Sequence, residues 1–304
     1  MSGLIDAHHH FWDPRSTDYP WLTGEFAGIR RRFGPEDLVP NLVAAGVAGT
    51  ILVQTRSGLD ETRSFLEIAA RTPLIRGVVG WLDLTDAAVS DTIAELRAGP
   101  GGERLVGIRH QVHDEADPDW LLQPDVERGI AAVGRAGLVY ELLVRTRELP
   151  AAVALARRLW DVRFVVDHLA KPPIKEGRRQ PWASLLAELG PLPNVSAKLS
   201  GLVTEADWAT WTTADIQPYV DIALEVFGPA RILFGSDWPV CLLAAPYEGV
   251  LEAARTMTSR LSQPERAAIF GRTAEDTYGL SGPWPADGLP RPERAIQTVD
   301  RSRS

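Results

Sequence analysis

The sequence predicts an α/β fold, a single (β/α)8 TIM barrel with a C-terminal extension. Two observations carry this. Eight short runs rich in Val, Ile, Leu and aromatics recur at a spacing of about 35 residues. Segments of three-to-four-residue periodicity separate them, so strand and helix alternate throughout. A doubly wound open sheet shares the alternation, but no Gly-rich dinucleotide loop follows the first run.

Taken in order, the strand candidates are residues 4–11 (LIDAHHHF), 50–55 (TILVQT), 75–84 (IRGVVGWLDL) and 105–112 (LVGIRHQV). They continue with 138–144 (LVYELLV), 162–169 (VRFVVDHL), 195–201 (VSAKLSG) and 232–240 (ILFGSDWPV). Most are continuously apolar, as expected of strands covered on both faces. Helices are expected over 59–70, 87–96, 125–134, 149–159, 182–189, 216–227 and 247–261. Gly46, Gly99, Gly137, Gly190 and Gly228 stand where helices should stop. The barrel domain is expected over 1–280, and 281–304, rich in Pro, Arg and Ser without periodicity, as an irregular C-terminal tail.

The 304-residue composition, 45% hydrophobic and 24% charged, is that of a globular protein. Thirty-two basic against 40 acidic residues give a net charge of −8, which argues against a nucleic-acid partner. No apolar stretch is long enough to span a membrane, and no secretion signal opens the chain. A lone Cys241 fits a reducing compartment, so a cytoplasmic location is expected. The expected partner is a small molecule, with the chain a monomer or small homo-oligomer.

Chemistry collects at the C-terminal ends of the strands, where a barrel builds its active site. By alternation Asp6, His8 and His10 share one face of strand one, with Ala7, His9 and Phe11 on the other. Two histidines at i and i+2 can converge on one metal ion or one substrate oxygen. His168 closes the sixth strand, and alternation turns Asp167 away from it, to support a ligand from behind or to contact a neighbouring helix. Asp237 ends the eighth, behind the small Gly235 and Ser236. Three imidazoles and a carboxylate suit one divalent ion, zinc first. The same set works without metal, with Asp237 as general base on water and the histidines polarising a carbonyl.

The segments IDAHHHFWDP (with YPWL nearby), VVDHLAKP, SAKLSG, LFGSDWPV and FGRTAEDTYGL resemble those of the amidohydrolase superfamily. The likeness is to its branch of L-fuconolactonase, L-rhamnonolactonase and 2-pyrone-4,6-dicarboxylate lactonase. It runs from about residue 4 to 280 and implies a hydrolase barrel whose mouth carries His8, His10, His168 and Asp237. The chain departs from the superfamily's two-metal members. GIRHQV offers Arg109 and His110 but no lysine to carbamylate, and VYELLV offers Glu141 but no histidine, so a two-metal site is not expected. Members of the branch work with one divalent ion or with none, and both remain open.

Substrate contacts are expected from Arg109, Trp81, Lys198, Trp12, Gln54 and Glu141. An Arg fork suits carboxylate or ring oxygens, aromatic faces cover sugar rings, and Lys198 can neutralise an oxyanion. The expected activity is a lactonase, a hydrolase acting on a carboxylic ester bond. Water would open a sugar-acid lactone such as L-fucono-1,4-lactone, with Asp237 as base and His168 polarising the carbonyl. The alternatives are a dicarboxylate lactonase, for which Arg56 and Arg145 are further clamps, a metal-dependent decarboxylase, and a non-catalytic sugar-acid-binding barrel.

Overall fold

The computed structural model describes residues 3–280, and the expected tail at 281–304 lies outside them. Eight parallel strands follow one another in strict sequence order. They are β1 (Leu4–His9), β2 (Val47–Val53), β3 (Ile75–Gly80), β4 (Leu105–His110), β5 (Val139–Leu142), β6 (Phe164–Val166), β7 (Val195–Leu199) and β8 (Ile232–Phe234). The ring closes at the mouth: Trp238 bridges His9, His10 N donates to Trp238 O at 2.7 Å, and Asp237 N donates to His8 O at 2.8 Å. An open doubly wound sheet has neither this order nor this closure.

The helices around the barrel are α1 (Pro35–Ala45), α2 (Leu59–Arg71), α3 (Val89–Ala98), α4 (Pro124–Arg135) and α5 (Leu149–Arg158). After them come α6 (Trp182–Ala187), the single turn α7 (Leu202–Glu205), α8 (Thr213–Phe227), α9 (Tyr247–Met257), α10 (Gln263–Ala267) and α11 (Thr273–Tyr278). Helix α1 lies in a stretch where no helix is expected from sequence. Pro40 interrupts its periodicity, and it is tolerated because it faces solvent. Its end was legible: Gly46 takes the left-handed conformation (φ 71°) that closes the helix.

Two apolar clusters follow from the two faces of the strands. Ile5, Ala7, Ile51, Val53, Val79, Val139, Val165 and Leu233 fill the barrel interior, joined by Ala274 and Tyr278 of α11. The opposite faces pack against the helices. Ile5 and Ala7 therefore point inward, and Asp6 does not share their face. Asp6 instead accepts from Ser236 N at 2.8 Å, His8 N at 3.1 Å and Tyr247 OH of α9 at 3.1 Å.

That corrects the alternation expected for strand one. Asp6 pairs with Thr50 but His9 with Leu52, so three steps of β1 run against two of β2. This bulge resets the parity and brings His8 and His10 to the mouth after Ala7.

Tyr278 reaches up the interior and its hydroxyl donates to Glu141 Oε1 at 2.5 Å. Tyr278→Phe leaves that buried oxygen without a donor and is expected to cost about 1–3 kcal/mol of stability. The check is urea unfolding, and an unchanged midpoint would refute it. Among the described residues no helix is long and apolar enough to cross a membrane.

Candidate active site at the barrel mouth

Strand β6 ends at Val166, earlier than the sequence suggests. His168, Leu169, Ala170 and Lys171 then turn through four successive left-handed conformations (φ 51°, 50°, 59° and 49°). Non-glycine residues rarely adopt this region, so the surroundings must hold them there. Trp182 Nε1 donates to Leu169 O at 2.7 Å, Lys171 N to His168 O at 2.9 Å, and Lys171 Nζ to Glu205 at 3.0 Å. Because the chain leaves strand geometry here, alternation fails, and both Asp167 and His168 face the site. The expectation that Asp167 turns away is thereby corrected.

The mouth is built in two levels. In the upper one, Asp237 Oδ1 lies 3.2 Å from His10 Nε2 and 3.7 Å from His8 Nε2. His8 and His10 approach at 3.1 Å through Nε2, and the His168 ring centroid is 4.5 Å from that of His8. Ser200 Oγ lies 2.9 Å from His168 Nδ1. Asp237 has left-handed backbone (φ 57°), which Asp tolerates better than most residues.

Two glycines make the room. A Cβ on Gly201, itself at φ 64°, would lie 2.5 Å from His168 Nδ1 and 3.1 Å from Asp237 Oδ2. One on Gly235 would lie 2.6 Å from His8 Cβ.

The lower level is a buried charge network. Arg109 Nη1 donates to Asp167 Oδ2 at 2.8 Å, and Nη2 donates to Gln54 O. Lys198 Nζ stands 2.6 Å from Glu141 Oε2, 3.1 Å from Asp167 Oδ1 and 3.0 Å from His8 Nδ1.

Electrostatics separates the groups by role. Burial would raise the Asp237 carboxyl, but the imidazoles of His168 and His10 outweigh it and hold it below its ordinary range. Burial pushes the imidazoles down: His168 to about 4, His10 below its usual value, and His8 well below, helped by the Lys198 ammonium. Asp167 is likewise held well below, since Lys198, His8 and Arg109 overcome its burial. Burial, then the charge of Asp167, raises Glu141 to about 7. At neutral pH one carboxylate therefore faces three neutral imidazoles.

The other residues expected at the site are placed as follows. Gln54 is fully buried, donates to Arg109 O at 3.3 Å and leaves Oε1 without a partner. Trp81 is half-buried and donates to His110 Nδ1 at 3.0 Å, while His110 Nε2 lies 2.7 Å from Glu115 and its ring stacks on Trp120. His110 is thus a strut. Trp12 packs against Trp21 and Phe33 in the first loop, with Nε1 donating to Ile29 O. His9 takes the face opposite His8 and meets Thr50 Oγ1 at 2.9 Å. His113 is half-buried, with Nε2 at 3.3 Å from Asp114.

Sequence reasoning did not single out Ser200, Gly201 or Tyr278. The first two stood in the SAKLSG segment and Tyr278 in FGRTAEDTYGL, but its meeting with Glu141 comes only through the fold. Two donor sets converge closely enough to hold a metal ion, His8–His168–Asp237 and His8–Glu141–Asp167, each within 4.8 Å.

Residues 5–280 match the amidohydrolase family. An L-fucono-1,5-lactonase of Burkholderia multivorans is 42% identical over 294 residues, covering 93% of this chain and 97% of that protein. A solved amidohydrolase from Burkholderia multivorans with bound Zn superposes with a TM-score of 0.87 at 42% identity, covering 91% of this chain and 99% of the other. At 18% identity the barrel of a probable 2-pyrone-4,6-dicarboxylic acid hydrolase from Acinetobacter baumannii superposes with a TM-score of 0.76, over 91% and 99% of the two chains.

Proposed function

The chain belongs to the amidohydrolase family, and from that premise we propose that it is a lactonase that opens a sugar-acid lactone by adding water to the carbonyl carbon. The observation that carries the reading is Asp237. It is an ionised carboxylate held among neutral imidazoles at the barrel mouth, in a chain 42% identical to an L-fucono-1,5-lactonase. L-Fuconolactone, in its six-membered or five-membered ring, is the substrate to test first.

Asp237 takes a proton from water as the water oxygen bonds to the carbonyl carbon and the carbonyl electrons move onto oxygen. When the tetrahedral species collapses, the bond to the ring oxygen breaks. Asp237 returns its proton there, giving the open hydroxy acid. Arg109, fixed by Asp167 and Gln54 O, sets a positive potential beneath the developing oxyanion.

The donor set fits one divalent ion. His10 Nδ1 meets Val53 O at 2.8 Å, so Nδ1 carries the proton and the Nε2 lone pair faces the Asp237 carboxylate at 3.2 Å. Two acceptors pointed at one another suit a cation between them, a place that the His8 Nε2–H, 3.1 Å from His10 Nε2, can fill in its stead. His8, His168 and Asp237 would hold it with His10 alongside, and zinc suits these donors. Bound there, the ion supplies Lewis-acid polarisation of the carbonyl and lowers the pKa of water.

A neutral lactone fits better than a dicarboxylate, because most of the cations near the mouth are engaged. Arg109 is held by Asp167, Arg56 by Asp60 and Lys171 by Glu205, while Arg145 is exposed with its charge acting on Asp114. A pH-indicator panel of L-fucono-, L-rhamnono- and other aldonolactones beside 2-pyrone-4,6-dicarboxylate tests this. The sugar lactones are expected to turn over and the dicarboxylate not; the reverse order would overturn the assignment. Running the panel after chelation is expected to lower the rate, with recovery on adding zinc. An undiminished rate in protein shown to be free of metal would remove the ion from the account.

A further inference from the structure

The hydrogen-bonding and charged partners nearest the two nitrogens of His8 are identifiable. Nδ1 lies 3.0 Å from Lys198 Nζ and 3.4 Å from Asp167 Oδ1. Nε2 lies 3.1 Å from His10 Nε2, 3.3 Å from Arg109 Nη1 and 3.7 Å from Asp237 Oδ1. Ammonium and guanidinium groups only donate, and carboxylates only accept. Each nitrogen of His8 is therefore offered both a donor and an acceptor. On the Nε2 side His10 is a fixed acceptor, because its own proton is committed to Val53 O.

Neutral His8 then has two self-consistent tautomers. In one, Lys198 donates to Nδ1 and Nε2–H donates to His10, through contacts of 3.0 and 3.1 Å. In the other, Nδ1–H donates to Asp167 and Nε2 accepts from Arg109, through contacts of 3.4 and 3.3 Å. The shorter pair belongs to the first. Only the second presents a lone pair at Nε2, the nitrogen beside His10 and Asp237, and so only the second can ligate a metal ion from there.

We propose that Lys198 is a positioning residue that holds His8 in the Nε2–H tautomer and thereby sets the affinity of the mouth for its divalent ion; this rests on the metal-binding reading above. The same ammonium stands among His8, Glu141 and Asp167, the second donor set, and supplies that set with a cation from the chain itself. Its charge also opposes a dication bound on the far side of the His8 ring. Loading the site means turning His8 over to Asp167, while Lys198 keeps Glu141 and Asp167 as partners. Asp167 is suited to this role because Arg109 fixes its other oxygen at 2.8 Å.

The test uses the full chain and two variants, Lys198→Met and Lys198→Met/Glu141→Gln. The double variant removes the ion pair as a unit and leaves no buried carboxylate stranded, since Asp167 retains Arg109. Nitrogen NMR of histidine-labelled, metal-free protein reads the tautomer directly. Wild type is expected to show His8 protonated at Nε2, and both variants to show it at Nδ1. Competition with a chromophoric chelator is expected to show zinc bound about 10–100-fold more tightly by the variants, the usual reach of an outer partner of a metal-ligating histidine. A wild-type His8 already protonated at Nδ1 would overturn the proposal. So would folded variants whose zinc affinity is unchanged, weaker or absent. The tautomer is read without metal or substrate, so its result stands apart from whether any lactone is hydrolysed.

Discussion

Asp237→Asn is expected to lower kcat by about 10³-fold or more, the reach of a positioned general base, while the fold is retained. Asn keeps the size of the side chain, and its amide N–H can donate to the His10 Nε2 lone pair, but it cannot take a proton from water. A carboxyl held below its ordinary range stabilises the fold when ionised, so removing its charge is expected to cost some stability as well, without unfolding the barrel. The paired measurement is steady-state hydrolysis beside urea unfolding. A variant with near-wild-type kcat would end the role given to Asp237. A variant that loses activity only by unfolding would show the carboxylate to be structural.

Gly201→Ala is the second large effect, and it acts without touching any reacting group. The position needs a positive φ, which alone disfavours alanine by about 1–2 kcal/mol. A Cβ there would also stand 2.5 Å from His168 Nδ1, 2.8 Å from its Cγ and 3.1 Å from Asp237 Oδ2. Real Cβ atoms essentially never come within 3.0 Å, so the imidazole must swing from Ser200, and the carboxylate must give by a few tenths of an ångström. Displacements on the order of 1 Å in a catalytic arrangement cost about 10²-fold. We therefore expect kcat/KM to fall about 100-fold while a folded barrel survives, checked by circular dichroism beside kinetics. Activity within twofold of wild type would show that the His168–Asp237 geometry is not what the reaction needs.

Much of the fold was legible because a parallel barrel writes a simple pattern. Doubly covered strands are continuously apolar, and TILVQT or VYELLV can hardly be anything else. The short strands β6 and β8 were overextended from sequence, because the apolar run continues into turns that only tertiary packing bends. At β6 this hid Asp167: four left-handed residues without a single glycine carry no sequence signal. At β1 the bulge is equally silent, since IDAHHH reads as clean alternation. His8, His10, His168 and Asp237 were reached anyway, because polar residues ending apolar runs stand out.

The charge network beneath them was less legible. Arg109, Glu141 and Lys198 were picked out individually as substrate contacts; Lys198 pairs with Glu141, and Asp167 joins Lys198 to Arg109, so the network draws on β4, β5, β7 and the residue after β6, which only the barrel brings together. Tyr278 lies 137 residues from Glu141 along the chain, and no local pattern links them.

In the proposed reaction water adds to the carbonyl carbon of a sugar lactone at this mouth. The most direct test is hydrolysis of L-fuconolactone in heavy-oxygen water, followed by mass spectrometry of the acid formed. Turnover well above the spontaneous rate is predicted, with the heavy oxygen in the carboxylate and the former ring oxygen unlabelled. No rate above the spontaneous one, or label on the hydroxyl released from the ring, would contradict it.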